Sequence, residues 1–265
     1  MNKTLYMNGL KHSWKLLVIF AAVLTMYYTI IVTMFDPQLG SALLELEKAM
    51  PELLAIVGMR TTDTTLIAFM ASYLYGFIAL VFPMVYAIIM ANSLVAKRVD
   101  SGSMAYLLAA PVPRFKVAFT QMKVLGTGIF LLIAYATAIG LASAEISFPG
   151  ELDVGKFIWL NVGALALHIL ISGICFLASC VFNDTKYSVA FGAGIPALCF
   201  IVHMMGNAGG AIEGAKYFTF FTLFNPQGII AGEAFSYSGI VILAVCGLAL
   251  YALGILVFTR KDVPV

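Results

Sequence analysis

The chain has 265 residues, of which 62% are hydrophobic and 11% charged. A soluble domain of this size carries roughly a quarter charged residues, so this surface could not be hidden in water and a soluble enzyme is excluded. The net charge of +2 is small and is not gathered on one basic face, which argues against nucleic-acid binding.

Six apolar segments follow one another, at about 14–35, 67–95, 117–142, 157–181, 187–206 and 238–259. Each is long enough to cross the hydrocarbon core as a helix. Away from their ends none carries Asp, Glu, Lys or Arg, and none shows the strict alternation of a β-barrel strand. The first run, from about Trp14 to Met34, is too long for a cleavable signal, and no small-residue cleavage site follows it. The second run is long, which predicts tilt or an interfacial extension.

Orientation is read from the basic residues. Lys3, Lys11, Lys15, Lys97, Arg98, Arg114, Lys116, Lys123, Lys186, Arg260 and Lys261 flank one side, eleven of fifteen, leaving Lys48, Arg60, Lys156 and Lys216 on the other. The positive-inside rule then places both termini in the cytoplasm.

In chain order, the N-terminus interleaves Leu5, Leu10, Trp14 and Leu17 with Lys3, Lys11 and Lys15. This reads as a basic amphipathic interfacial lead-in, with Trp14 as an anchor at the membrane boundary. Residues 41–59 put Leu43, Leu46, Met50, Leu53, Leu54 and Val57 at helical spacing, with Glu45, Glu47, Lys48 and Glu52 off that stripe. An amphipathic helix on the outer membrane surface is expected there.

The loop at 96–116 is the most informative segment. Lys97 and Arg98 anchor the end of the second span, and Asp100, Ser101 and Ser103 are helix N-cap types around Gly102. Met104, Leu107 and Leu108 follow as an apolar face, and Pro111 stops the helix before Arg114 leads back to the membrane. An apolar face on a short helix outside the bilayer is what a groove binder presents. The plainer reading is a loop resting on the headgroups.

The stretch 207–236 is too short for two spans and too apolar for a solvated loop. A re-entrant hairpin or short interfacial helices are expected there, involving Phe220, Phe221, Phe224, Asn225 and Pro226. His168 and His203 are the titratable residues in the apolar cores. A lone helix histidine most often bonds a neighbouring helix or a backbone carbonyl; the sharper reading is a proton relay. No HExxH, G-x-S-x-G, Walker A or GxGxxG pattern is present, and the four cysteines have no partners at metal-ligand spacing.

This order of features resembles the membrane subunit of an ABC transporter of the ABC-2 exporter type, and in particular the small permease subunits of Gram-positive bacteria. The family's loop commonly reads acidic–x–G–x–x–x–x–L–L followed by a proline and a basic residue. Asp100, Gly102, Leu107, Leu108, Pro111 and Arg114 stand at those positions, with the acid shortened from the usual glutamate. FNPQGIIAG before the last span and the closing FTRKDVPV are also similar to the family.

The resemblance implies an all-α membrane protein: a single permease domain over 1–265 with six transmembrane helices, both termini cytoplasmic, and an ABC-2 (type V exporter-like) transmembrane domain. It implies that the loop, with Ser101 and Met104, is a coupling helix seated on a separate ATPase. Two ATPase copies would then bind ATP and Mg, and this chain would hold no cofactor and catalyse nothing. A second permease copy or a paralogue would complete the pathway within the membrane lipids, and the segment 207–236 would form re-entrant helices capping the external end. The cargo implied is amphipathic or hydrophobic: an antimicrobial peptide, a drug or a lipid-like molecule. The alternatives are a sodium-extruding ABC permease, an ATP-independent channel or secondary carrier, and a non-transporting scaffold.

Overall fold

The computed structural model describes residues 2–36, 50, 65–104, 107, 112–207 and 210–261. The expected amphipathic segment 41–59, apart from Met50, lies outside the described residues, as do Leu108 and Pro111. Among the described residues six helices are long and apolar enough to cross a membrane. We number them α1 (Lys3–Thr33), α2 (Leu66–Asp100), α3 (Arg114–Ser147), α4 (Val154–Val181), α5 (Thr185–Asn207) and α7 (Ala234–Arg260). A short α6 (Pro226–Ala231) precedes the last. Among the described residues no strand occurs.

Several helices outrun the apolar segments that mark them. At 1.5 Å per residue the 31 residues of α1 span about 46 Å, against a hydrocarbon core of about 30 Å. The N-terminal lead-in is therefore continuous with the first span, because nothing between Lys3 and Thr33 interrupts the backbone ladder. Asn2 caps it, its side chain accepting from the Leu5 N–H at 3.2 Å.

α2 is the irregular helix. It contains two π turns, Leu74–Ile78 and Asn92–Ala96, with Pro83 between them. Proline removes a backbone donor, and π turns shift the ladder by one residue. Such a helix meets its neighbours with a different face on each side of every irregularity.

Hydroxyl pairs hold α1 beside α3. Tyr6 meets Thr127 at 3.0 Å and Thr25 meets Tyr135 at 2.8 Å. Near the N-terminus the Asn2 N–H donates to Thr120 Oγ1 at 3.2 Å. In lipid the helices gain little from hydrophobic contact with one another, so such pairs and close packing do the joining.

α4 is the hub. Of its apolar window 72% is buried inside the protein, against 22% for α5 and 33% for α7. Its buried polar side chains reach three neighbours, α2, α7 and α5. His168 Nε2 lies 3.0 Å from the Leu80 carbonyl of α2, and Nδ1 lies 2.7 Å from its own helix at Ala164 O. Tyr251 of α7 donates to Ser172 Oγ at 2.6 Å. Ser179 pairs with Ser188 of α5 at 3.1 Å, and the Cys175 thiol donates to the Gly192 carbonyl at 3.1 Å.

His168 thus sits between two carbonyls in the middle of the bundle, and the single N–H of a neutral imidazole donates to one of them. His168→Ala should lower the thermal stability of the purified chain by about 1–3 kcal/mol, because a buried carbonyl loses its partner. Transport rate should stay near wild type. A total loss of transport at unchanged stability would instead make the imidazole a proton carrier.

The α4–α7 seam is built on glycines. A Cβ at Gly247 would sit 2.7 Å from the Leu170 nitrogen, and one at Gly173 would sit 2.8 Å from the Gly247 carbonyl oxygen. Trp159 and Tyr237 close the start of this seam edge to face, with ring centroids 5.1 Å apart. Its far end is closed by Lys261, whose ammonium donates to the Val181 carbonyl at 2.7 Å and to Cys180 O at 3.2 Å. Those are unpaired carbonyls of the α4 C-terminus, where a cation also meets the negative end of the helix dipole. Burial pushes the Lys261 ammonium below its ordinary pKa.

Candidate functional site

Two regions stand out, at opposite ends of α2. The first is the connection from α2 to α3. Ser101 N–H donates to Lys97 O at 3.1 Å and Gly102 N–H to Val99 O at 3.0 Å, which ends the helix. Gly102 has φ +70°, the left-handed conformation that glycine enters at no steric cost and that commonly closes a helix. Ser103 and Met104 are already helical again, as is Leu107.

The serines act differently from their sequence reading. Ser103 Oγ donates back to the Arg98 carbonyl at 3.2 Å, and the Ser101 and Ser103 hydroxyls pair at 2.9 Å. Together they satisfy the Arg98 carbonyl at the end of α2. Met104 also departs from expectation. It is fully buried in the chain's own core, so it does not face outward beside Leu107, which is half-buried against the same core. The apolar face of the short helix roots the loop into the bundle first.

Asp100, Ser101, Gly102 and Ser103 are exposed, and so is Arg114 at the start of α3. Arg114 Nη1 donates to the Lys261 carbonyl at 2.8 Å, tying the loop's exit to the end of the last span. The beginnings of α1 and α3 and the ends of α2, α4 and α7 therefore share one end of the bundle, which carries most of the basic residues. Phe115, missed in the sequence, is 54% exposed here and stacks on Phe119 at 5.7 Å. Its signal was an aromatic between Arg114 and Lys116, too short a pattern to separate from an ordinary interfacial anchor.

Lys11, Trp14 and Lys15 are exposed along α1. This stretch meets α2 where His12 Nε2 lies 3.3 Å from Ser93 Oγ, within the second π turn.

The second region lies at the other end. After α5 the chain forms a 3₁₀ helix (Gly210–Phe218), a second one (Phe220–Leu223) and then α6. Asn225 caps α6, accepting from the Gly228 N–H at 3.1 Å, with Pro226 at the first helical position. Phe221 and Phe224 are buried, and Phe220 stacks on Phe221 at 4.7 Å. These short helices close over a cavity of about 470 Å³ between the start of α2 and the end of α5.

Of the residues singled out in this stretch, Phe221, Phe224, Asn225 and Pro226 line the cavity and Phe220 stands behind them. Tyr75 and Gly76 of the first π turn also line it, with His203 and Lys216. Those four come from elements far apart in the chain, and sequence spacing carries no sign of them. His203 Nδ1 lies 3.5 Å from Thr219 Oγ1.

A helical bundle of six apolar spans, hung on one buried hub helix and carrying an exposed turn at its basic end, is a multi-pass integral protein of the plasma membrane and a transport component. The family model described as ABC-2 family transporter protein matches residues 10–263, and the chain belongs to that family. No curated protein matches the chain.

Proposed function

We propose that the chain is the permease subunit of an ATP-driven exporter, coupled through the α2–α3 connection to a separate ATPase present in two copies. The observation that carries this reading is the left-handed turn at Gly102, which ends α2 and sets the exposed run Asp100–Ser103 at the same end as Arg114. A short helix anchored inward by Met104 is a handle. A push on its exposed side is delivered to α2 and, through Arg114 and Lys261, to α3, α4 and α7. ATP and Mg belong to the partner, and this chain does no chemistry of its own.

α2 runs from that handle to the cavity at the opposite end. Closing of the ATPase pair therefore moves Tyr75 and Gly76 relative to the short helices that follow α5. In this reading those helices cap the outer end of the pathway. A second permease, identical or paralogous, supplies its other wall. The cargo is amphipathic or hydrophobic, a class that includes antimicrobial peptides, drugs and lipid-like molecules. The support is the aromatic lining of Tyr75, Phe221, Phe224 and Phe235.

The decisive experiment is a mild-detergent pull-down of the tagged chain from native membranes, followed by mass spectrometry and an ATPase assay. A soluble Walker-A protein recovered with hydrolysis is the expected result. Recovery of the permease alone over a range of detergents would turn the reading toward an ATP-independent carrier or a scaffold. Orientation has its own test. A cysteine introduced as Glu47→Cys should react with an impermeant thiol reagent added outside intact cells, and labelling from the cytoplasmic side alone would invert the topology.

A further inference from the structure

The cavity at the outer end has a charge asymmetry that the export reading does not use. Among its described lining residues Lys216 is the one with a full charge, and no carboxylate lines the wall. The Lys216 side chain is only 18% exposed. Its ammonium meets Glu213 at 2.8 Å, but Glu213 is 58% exposed and sits one helical turn back, outside the cavity wall. An ion pair held half in water is weak and yields to a competing anion. The ammonium has three N–H donors, of which Glu213 takes one.

Three of the other polar side chains of the wall already make hydrogen bonds. Asn225 caps α6, Gln227 donates to Ser72 Oγ at 3.0 Å, and the Thr222 hydroxyl donates to the Lys216 carbonyl. Lys216 is thus the charged donor of the described wall, with N–H groups beyond the one given to Glu213. Beside it the wall is aromatic: Phe221 and Phe224 are buried, and Phe235 is 64% exposed at the cavity's edge. One cation next to an aromatic slot, at the level where the spans end, matches a molecule with an anionic head and an apolar chain. A lysine near the end of a span reaches the membrane interface, where lipid phosphates lie.

We propose that this cavity is a binding site for an anionic membrane lipid or lysolipid, its phosphate on Lys216 and the start of its chain against Phe221, Phe224 and Phe235. The site belongs to the isolated chain, so its test needs neither an ATPase nor transport, and it can fail while the export reading stands.

The test uses the full chain purified in a non-ionic detergent. Trp14 and Trp159 are replaced by Phe, and Phe235→Trp places a single reporter at the cavity edge. Lysophosphatidylglycerol brominated on its chain should quench this tryptophan with an apparent affinity about tenfold better than the equally brominated lysophosphatidylcholine, a charge preference of the size one engaged cation supplies. Lys216→Gln should bring the two lipids to within about twofold, and Lys216→Arg should keep the preference. Glycerol phosphate, which has the head but no chain, should compete only at far higher concentration.

Equal quenching by the two lipids in the Lys216 protein would overturn the proposal, as would an unchanged preference in Lys216→Gln. Competition by glycerol phosphate as strong as by the lysolipid would reduce the site to an anion site and overturn the lipid assignment. If Lys216→Gln does not fold, the comparison of the two lipids on the Phe235→Trp protein decides alone.

Discussion

Leu107→Asp combined with Leu108→Asp should leave the chain in the membrane at wild-type yield and remove the ATPase from the pull-down. Burial of a leucine side chain stabilises a contact by about 1.5–3 kcal/mol. Losing two such contacts, with carboxylates left in their place, weakens the complex by roughly a hundredfold or more. Leu107 is already half-buried against the chain's own core, so part of its loss falls on the seat of the loop. Met104→Ala separates the two effects. It empties a fully buried position and leaves the exposed side unchanged, so the ATPase should still co-purify while ATP-driven transport falls. Co-purification of the double aspartate variant at full yield would show that the loop is not the docking element.

The second large effect is expected at the α4–α7 seam. Gly247→Leu should lower the thermal midpoint of the purified chain further than Gly247→Ala, and Gly247→Ala should itself cost about 1–3 kcal/mol, or roughly 2–12 °C. The cause is geometric. The added Cβ would meet the Leu170 nitrogen at 2.7 Å and the Ile169 carbonyl carbon at 2.8 Å. Main-chain atoms cannot swing aside as a side-chain tip can, so the two helices must part. Separation then strains the Tyr251–Ser172 bond and the Lys261 cap at the end of α4. Gly194→Ala is the control. It has no neighbour within 4 Å, and alanine in a helix interior should be neutral or raise stability by up to about 1 kcal/mol. Equal midpoints for the two alanine variants would mean that close backbone approach is not what holds α4 to α7.

Both predictions depend on packing, and packing is where reading the chain and seeing it folded part company. The existence of the spans was legible because hydropathy is a property of a segment and needs no neighbour. The turn at Gly102 was legible because a glycine among Asp and Ser residues marks a helix end wherever it stands. Helix ends were less so. α1 and α3 continue past their apolar stretches because the backbone ladder does not stop at the edge of the hydrocarbon. The inward turn of Met104 was not legible at all, since one apolar residue on a short helix reads the same whether it faces a partner or its own bundle.

By itself the sequence determined an all-helical, six-span membrane protein, a basic end, and an unusual connection between the second and third spans. These follow from local composition, which acts residue by residue on the helix–bilayer equilibrium. Only the tertiary structure decided that α4 is the buried hub, that His168 joins it to α2, and that glycines rather than large side chains set the α4–α7 distance. It also decided that the first π turn of α2 places Tyr75 and Gly76 on the same cavity wall as Lys216 and Phe221. Those relations depend on which faces of separate helices meet, and rotation about a helix axis is free until a neighbour with a matching shape or hydrogen-bond partner stops it.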